Sequence, residues 1–500
     1  MTSNSYIVAL DQGTTSTTAL LIDQMGSVIW KSSQEISTIY PRLGWVEQDP
    51  QEIFLSCLNV IHELIDETEI STGQISAIGI TNQRETTLVW DRETGDPVYN
   101  AIVWQCRRST MLCEVMKSQG VESDILGKTG LTLDPYFSST KLRWIIDNIP
   151  SGQARAENGE IIFGTVDSWI LWNLTGQVVH ATDTTNASRT MLYNIDNLEW
   201  DKDLLNLFDI PPGILPTVHS SNSIFGYTLA ELFRGKEIPV SAMAGDQNSA
   251  LFGQGCFNPG MIKNTYGTGC FVLANSGEER INSKSGLIST ISWQIDKNVT
   301  YGLEGSIFSS GSTIQWLKDG LGIINSVNEI DSLAESVEDN GGVYFVPSFT
   351  GLGAPNWDPN ARGTIVGLTL GSNSGHIARA SLEATAFQTR QVVESISKDL
   401  GFMPKVLRVD GGGTASSLMM QFQADILGIP IETSSIKDTT ALGIGYIAGL
   451  SVGFWKDMNE IASLWMNERR FIPSMSDTRR ENLYNEWFRA IDRSKNWVEP

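Results

Sequence analysis

The segment formed by residues 7–23 constrains the fold of this chain more than any other stretch. Four apolar residues lead into a polar corner that contains a glycine, and a second apolar run follows the corner and ends at another acidic residue. This arrangement is typical of a β-hairpin. We predict that the corner directs the backbone amides and hydroxyl groups of Gly13, Thr14, Thr15 and Ser16 toward one point, a geometry suited to phosphate. The alternative is an ordinary polar hairpin turn that binds nothing.

A similar corner recurs twice along the chain. Apolar residues flank the sequence Tyr-Gly-Thr-Gly at residues 266–269, and another apolar strand leads into Asp-Gly-Gly-Gly at residues 410–413. A chain of 500 residues exceeds what one hydrophobic core normally supports. Because the first two hairpins each open about half of the chain, we predict two α/β domains related by an internal duplication, with a boundary near residues 250–260.

The two hairpins could grip a nucleotide triphosphate between the domains. Asp11 ends the first strand, where its carboxylate would meet the Mg²⁺ that such a nucleotide carries. The sequence contains no GxxxxGK[ST] motif and no GxGxxG in a dinucleotide-binding context, so we expect neither of those nucleotide-binding folds. A single glycine corner is more often a structural turn. The prediction of nucleotide binding therefore rests on the recurrence of such corners along the chain.

Composition narrows the possible environment and partners. The chain carries 35 basic and 57 acidic residues, a net charge of −22, which disfavours nonspecific binding to nucleic acid or anionic membranes. The five cysteines are scattered and form no CxxC pair, a pattern that indicates reduced thiols rather than a disulfide framework or a zinc site. No apolar run is long enough to span a bilayer, and no basic leader is recognisable. We predict a soluble, cytoplasmic protein.

Five residues are candidates for chemistry on a small hydroxylated substrate. Asp246 follows Ala-Gly at a predicted strand end and could accept a hydroxyl proton, although an aspartate after glycine is more often a turn former. Arg84 and Glu85 offer adjacent donors and acceptors for a polyol, the alternative being a surface salt bridge. Trp104 and Phe271 could cover its carbon face, the alternative being a place in the core.

Taken in order, these motifs resemble those of the FGGY carbohydrate kinases over almost the whole chain. Family-wide motifs lie at residues 136–144, 363–368 and 376–383. The stretches similar to the glycerol-phosphorylating members are residues 44–50, 82–86, 104–108, 244–247, 264–271 and 409–412. The resemblance implies duplicated actin-like or hexokinase-like domains of the ribonuclease H-like α/β class, with an interdomain cleft. It implies an N-terminal domain of residues 1–254, which carries the polyol site and a phosphate hairpin, and a nucleotide-binding domain of residues 255–500.

The resemblance also implies a reaction, the ATP-dependent phosphorylation of glycerol to sn-glycerol 3-phosphate, with Asp246 as general base and Asp11 supporting Mg²⁺. The implied substrate-binding residues are Arg84, Glu85, Trp104, Tyr136, Asp246, Gln247 and Phe271. The implied contacts to phosphate are Thr14, Thr15, Ser16 and Thr268. The implied residues at the nucleoside end are Gly311, Gln315, Gly412 and Ser416. A homodimer or homotetramer is implied as well.

Two rival functions stay open, and regulation is the least transferable property. A sibling kinase would act on xylulose, ribulose, gluconate or erythritol, and a non-catalytic nucleotide-switched protein would use the same fold.

The chain departs from the family pattern at several positions. It has Thr18 where relatives often carry Arg, and Ser416 where they often carry Asn. Glu237 replaces the Arg of a loop that binds fructose 1,6-bisphosphate in relatives, and no regulatory histidine lies between His219 and His376.

Overall fold

The computed structural model describes residues 5–498, which form two α/β halves, each built on a mixed sheet. The strands are β1 Tyr6–Gln12, β2 Ser16–Ile22, β3 Val28–Glu35, β4 Glu47–Gln48, β5 Ile75–Asn82, β6 Leu88–Asp91, β7 Ala101–Ile102, β8 Ile161–Gly164, β9 Ala181–Asp183, β10 Tyr193–Asn194, β11 Glu199–Trp200, β12 Thr217–His219, β13 Gly226–Tyr227, β14 Pro239–Gly245, β15 Ile262–Tyr266, β16 Cys270–Gly277, β17 Ile288–Ile295, β18 Asn298–Ile307, β19 Tyr344–Val346, β20 Thr364–Val366, β21 Leu407–Asp410, β22 Ile431–Ser434 and β23 Asn467–Phe471. The helices are α1 Pro50–Thr68, α2 Thr110–Ser118, α3 Glu122–Thr129, α4 Ser138–Asn148, α5 Gly152–Glu157, α6 Val166–Leu174, α7 Thr184–Ala187, α8 Lys202–Leu207, α9 Asp246–Gly253, α10 Gly311–Asp319, α11 Ile330–Ala334, α12 Ser374–Leu400, α13 Ser417–Leu427, α14 Thr439–Ser451, α15 Met458–Leu464 and α16 Asp477–Ser494.

The two large sheets have the same core topology. In the N-terminal half the strand order is β3-β2-β1-β5-β14-β13, and in the C-terminal half it is β17-β18-β16-β15-β21-β22-β23. Reading from β3 and from β18, successive pairings are antiparallel, antiparallel, parallel, parallel and antiparallel in both sheets. The hairpins β1–β2 and β15–β16 occupy equivalent places. The predicted duplication of an actin-like α/β unit is confirmed.

Buried apolar residues explain why these segments form strands and helices. The middle of β1 is fully buried, which fits its run of four apolar residues. Helix α1 begins at Pro50 after the N-cap Asp49, whose side chain accepts the backbone N–H of Gln51, and its helical repeat of apolar residues faces the N-terminal core. Strand β5, which follows this helix, is likewise almost wholly buried.

Helix α14 of the C-terminal half packs on the sheet of the N-terminal half. Its Ile444 and Ile447 share a buried cluster with Ile7, Ala9 and other residues of β1 and β2. This helix also crosses α9 of the N-terminal half at close range. The two halves are therefore joined by a continuous apolar layer beneath the edge where the strands end.

Residues 152–157 form helix α5, and its Ala156 is buried in the core beside α4. The pairing of β7 stops at Ile102. The backbone N–H of Cys106 donates to the carbonyl of Val103 at 2.9 Å, which closes a turn there. Among the described residues, no helix has the length and apolar character that a membrane crossing requires.

Candidate active site

The carboxyl ends of three adjacent parallel strands define one edge of the N-terminal sheet. Gln12 of β1 lies opposite Asn82 of β5, and Asn82 lies opposite Gly245 of β14. Asp11 precedes the first of these residues and Asp246 follows the last. With neighbouring strands about 4.8 Å apart, the two carboxylates project from backbones about 10 Å apart. The edge therefore carries two acidic groups at a spacing that admits a ligand.

Asp246 is the first residue of α9. Its Oδ1 accepts the backbone N–H of Gln247 at 2.6 Å and lies 3.1 Å from Nε of Arg84. Its side chain is 27% exposed, so one side of the carboxylate opens toward the cleft. Burial raises the pKa of Asp246, and the positive charge of Arg84 opposes that rise. This is the environment of a carboxylate that can take up a proton.

Arg84 belongs to a buried group of four charged residues, Arg84, Glu85, Arg189 and Glu304, which we call the four-charge cluster. Arg84 donates to both oxygens of Glu304, at 2.6 and 3.0 Å, and Arg189 donates to Glu304 at 3.0 Å and to Glu85 at 2.5 Å. All four side chains are at most 2% exposed. The expected alternative of a surface salt bridge between Arg84 and Glu85 was therefore wrong.

Three aromatic rings stand beside this cluster. The centroid of Trp104 lies 5.7 Å from that of Tyr136 and 6.1 Å from that of Phe271, both in edge-on geometry. The guanidinium of Arg189 lies 5.6 Å from the ring of Tyr136. The indole N–H of Trp104 donates to the hydroxyl of Thr14 at 2.9 Å, so the aromatic wall is tied to the first hairpin. Trp104 and Phe271 are only half-buried and come together, as an apolar wall requires.

Gln247 is held from the C-terminal half. The amino group of Lys263, on β15, donates to the amide oxygen of Gln247 and to the hydroxyl of Thr265, the latter at 2.9 Å. Burial lowers the pKa of Lys263 to about 8, although the carboxylates of Asp410 and Asp246 oppose that shift. The predicted polyol residues from both halves thus meet at one place.

The first hairpin differs in one respect from the sequence prediction. The backbone N–H of Gly13 donates to the carbonyl of Ser16 at 2.9 Å, so it closes the turn and does not point toward a ligand. The carbonyl of Thr14 accepts the side-chain amide of Gln48 at 2.6 Å. Thr15 is exposed at the tip of the hairpin, and the hydroxyl of Thr14 lies against Trp104.

The second hairpin is packed against the start of α10. The backbone N–H of Gly311 donates to the carbonyl of Gly267 at 3.0 Å, and the N–H of Ser312 donates to the carbonyl of Thr268 at 3.1 Å. A Cβ on Gly311 would lie 2.7 Å from the carbonyl oxygen of Gly267, so only glycine permits this approach. The side of Thr268 that faces away from the helix is exposed.

The remaining residues of the predicted nucleoside end lie around the second hairpin. Gly412 begins a short 3₁₀ turn after β21 and is exposed. Ser416 caps α13, and its hydroxyl donates to Asp331 at 2.6 Å. Gln315 is exposed on α10, and its amide is bonded to Asp319. Gly412 and Gln315 are thus accessible, and Ser416 is half-buried.

Asp11 has the properties of a group that would support a divalent cation. Burial, together with the nearby carboxylates of Asp246 and Asp438, raises the pKa of Asp11 to about 8, and the positive charge of Lys31 opposes that rise. A cation beside Asp11 would offset this accumulation of negative charge. Within residues 5–498 no three His, Cys, Asp or Glu side chains are grouped as a metal site.

Sequence reasoning missed Arg189, Glu304 and Lys263. Glu304 and Lys263 each lie in a strand that is largely buried, and a lone charge in a buried strand signals a polar partner nearby. Arg189 lies in the loop after the short helix α7, and its surroundings in the sequence carry no comparable signal.

Two family descriptions match the chain. The N-terminal domain of the FGGY family of carbohydrate kinases matches residues 6–253. The C-terminal domain of the same family matches residues 262–452.

Relatives and solved structures agree with these matches. The chain is 55% identical to glycerol kinase 2 of Thermotoga maritima, over 98% of this chain and 99% of that protein. The crystal structure of Plasmodium falciparum glycerol kinase with ADP is 37% identical, with a TM-score of 0.91 and 98% of both chains covered. A ligand-bound xylulose kinase from Lactobacillus acidophilus has a TM-score of 0.87 at 23% identity, covering 98% of this chain and 97% of its own, and shares the fold.

Proposed function

Because the chain belongs to the FGGY family of carbohydrate kinases, we propose that it transfers the γ-phosphate of ATP to glycerol, giving sn-glycerol 3-phosphate and ADP. The proposal rests on one observation: the carboxylate of Asp246, the four-charge cluster and three aromatic rings lie together at one edge of the sheet. A triol needs both donors and acceptors for its hydroxyls and an apolar surface for its carbons.

Asp246 is the proposed general base. Its carboxylate takes the proton of the terminal hydroxyl as that oxygen attacks the γ-phosphorus, and the bond from the γ-phosphorus to the bridging oxygen of ADP breaks. The raised pKa of Asp246 favours proton uptake, whereas the positive charge of Arg84, 3.1 Å away, favours the ionised form. Arg84, Glu85, Tyr136 and Gln247 would fix the orientation of glycerol, while Trp104 and Phe271 would cover its carbon atoms.

The phosphates would lie between the two hairpins. Thr14, Thr15 and Ser16 offer hydroxyls from the first hairpin, and Thr268 offers one from the second. Gly311, Gln315, Gly412 and Ser416 would border the nucleoside. Asp11 would support Mg²⁺, which when bound neutralises charge on the phosphate oxygens. Closure of the halves over both substrates would exclude water, which could otherwise accept the phosphoryl group.

The test is ADP release with Mg·ATP against a panel of glycerol, xylulose, ribulose, gluconate and erythritol. Turnover with glycerol at the highest kcat/KM supports the proposal. Turnover only with a pentulose or another polyol would keep the phosphoryl-transfer mechanism and overturn the substrate. No turnover with any polyol would contradict the proposed function and favour a nucleotide-switched protein.

Four further properties remain predictions of this proposal. The dependence on Mg²⁺ is tested by titrating the metal against fixed ATP. A homodimer or homotetramer is tested by light scattering of the purified chain. A domain boundary between residues 254 and 255 is tested by limited proteolysis, and a cytoplasmic location by cell fractionation.

A further inference from the structure

We propose that Arg189 and Glu304 are positioning residues of the polyol site, which hold Arg84 and Glu85 in the one arrangement that binds substrate hydroxyls. This inference rests on the proposed function. It adds two residues that contact other protein groups rather than the substrate. It also assigns the C-terminal half a direct part in building a site that otherwise belongs largely to the N-terminal half.

Glu304 fixes the guanidinium of Arg84. The bonds from Nη1 and Nη2 of Arg84 reach the two oxygens of Glu304 at 2.6 and 3.0 Å, a paired geometry that allows one orientation of the plane. Nη1 also donates to Asn248 at 3.3 Å. The remaining nitrogen, Nε, is buried, has no hydrogen-bond partner among the described residues, and lies 3.1 Å from Oδ1 of Asp246. Glu304 thereby directs Nε of Arg84 toward Asp246, the proposed general base.

Arg189 performs the equivalent task for Glu85. Its Nε donates to Oε1 of Glu85 at 2.5 Å, while its Nη2 donates to Glu304 at 3.0 Å. Its guanidinium also lies 5.6 Å from the ring of Tyr136 and 5.2 Å from that of Phe137. Glu85 itself has a left-handed backbone, with φ of 61°, which is uncommon for a residue other than glycine. Arg189 therefore links a strained acidic residue to an aromatic residue of the predicted site.

The cluster connects the two halves of the molecule. Glu304 lies on β18 in the C-terminal sheet, whereas Arg84, Glu85 and Arg189 belong to the N-terminal half. Two positive and two negative charges balance, and the buried position makes loss of any one of them costly. A rotation of one half against the other would pull Glu304 away from both arginines and release Arg84 and Glu85. The arrangement of the polyol site is thus coupled to the relative position of the halves.

The experiment compares steady-state kinetics and thermal unfolding of the full-length chain for Glu304→Gln, Arg189→Lys and the wild type. Glu304→Gln keeps the shape and removes one charge, and Arg189→Lys keeps the charge and loses the planar fork. We expect KM for glycerol to rise at least about 10-fold in both variants, with KM for ATP within about twofold of the wild type. A wild-type KM for glycerol in either variant would overturn the inference.

The matched control is Arg390→Gln. Arg390 is also a largely buried arginine, and it pairs with Glu394 and Glu481 of the C-terminal half, not with any member of the four-charge cluster. We expect this variant to lower the unfolding midpoint and to leave KM for glycerol unchanged. An equal rise of KM for glycerol in Arg390→Gln would mean that general destabilisation explains the effect, and would overturn the positioning role.

The double variant Arg189→Gln with Glu304→Gln separates stability from positioning. It restores charge balance, so we expect its unfolding midpoint to recover relative to Glu304→Gln while KM for glycerol stays raised. Recovery of both quantities together would contradict the inference. If the wild type shows no turnover with glycerol, the proposed function fails; if the wild type turns over glycerol and the variants match it, only the present inference fails.

Discussion

At the residue scale, the site is governed by how burial and charge act on single groups. Burial raises the pKa of Asp246, and the positive charge of Arg84 limits that rise. Lys141 is fully buried, and its amino group donates to the carbonyls of Pro135, Tyr136 and Phe137 at 3.1, 2.5 and 2.9 Å. The loop that carries Tyr136 is therefore fixed by one side chain of the following helix.

The first prediction concerns pH. Because Asp246 acts in its ionised form and burial raises its pKa, we expect kcat/KM for glycerol to fall as the pH is lowered, beginning above the ordinary aspartate value of about 3.9. The measurement is kcat/KM at saturating Mg·ATP between about pH 5 and pH 9. A profile that stays flat down to the pH where the protein unfolds would contradict the assignment.

The second prediction concerns Lys141→Met. The methionine fills the space but removes the three hydrogen bonds that the amino group donates to buried carbonyls, so we expect the free energy of unfolding to fall by about 3 kcal/mol. Since Tyr136 loses its support, KM for glycerol should rise more than KM for ATP. Urea unfolding and steady-state kinetics measure the two effects, and an unchanged KM for glycerol would show that the loop keeps its shape without the amino group.

At the element scale, the crossing of α9 and α14 determines where Asp246 lies. A Cβ on Gly443 would lie 1.9 Å from the carbonyl oxygen of Ser249, and one on Gly253 would lie 2.0 Å from the carbonyl oxygen of Thr439. The two backbones are therefore in contact, and the hydroxyl of Ser249 donates to the carbonyl of Thr440 at 2.6 Å. Since α9 begins at Asp246, any displacement of this helix moves the proposed base.

The third prediction is that Gly443→Ala lowers both stability and kcat. The added methyl must push α9 and α14 apart, and such overpacking costs about 1–3 kcal/mol or more. The control is Gly127→Ala in α3, where a Cβ meets nothing within 4 Å and alanine favours the helix. We expect the control to keep wild-type kcat with equal or higher stability. A Gly443→Ala variant with normal kcat would mean that the helix crossing tolerates the shift.

Part of the arrangement of strands, turns and their contacts could be predicted from the sequence, and part could not. The hairpins were predictable because apolar runs and glycine corners are local signals, and β1–β2 and β15–β16 lie where those signals are. The partners of Arg84 were not predictable, because Glu304 lies 220 residues away and nothing local distinguishes its pairing. The blocked amide of Gly13 depends on how the turn closes, which composition does not determine.

At the scale of the whole molecule, the halves are joined by an apolar layer and by the four-charge cluster. Burial alone would raise the pKa of Glu304, but the guanidinium groups of Arg189 and Arg84 outweigh it and hold the pKa at about 2. Another contact across the halves, Lys31 with Asp438 at 2.6 Å, is substantially exposed and contributes little. The four-charge cluster, by contrast, is a fully buried electrostatic connection between the halves.

The fourth prediction follows from this depressed pKa. An unfolded glutamate titrates near pH 4.3, so the stabilisation from Glu304 is fully present above that pH and is lost as the pH falls toward 2. We expect the wild type to exceed Glu304→Gln by about 3 kcal/mol in the free energy of unfolding at pH 6, with the difference shrinking below about pH 4. Urea unfolding across this range measures it. A difference independent of pH would show that the charge of Glu304 is not responsible.

The most direct test of the central claim is glycerol-dependent ADP release by Asp246→Asn beside the wild type, with glycerol binding to both measured by calorimetry. Asparagine keeps the size and polarity of the side chain but takes up no proton. We predict that kcat falls by about 10²–10⁴-fold while glycerol still binds. Near-normal kcat in this variant would contradict the account, because the proton of the attacking hydroxyl would then leave by another route.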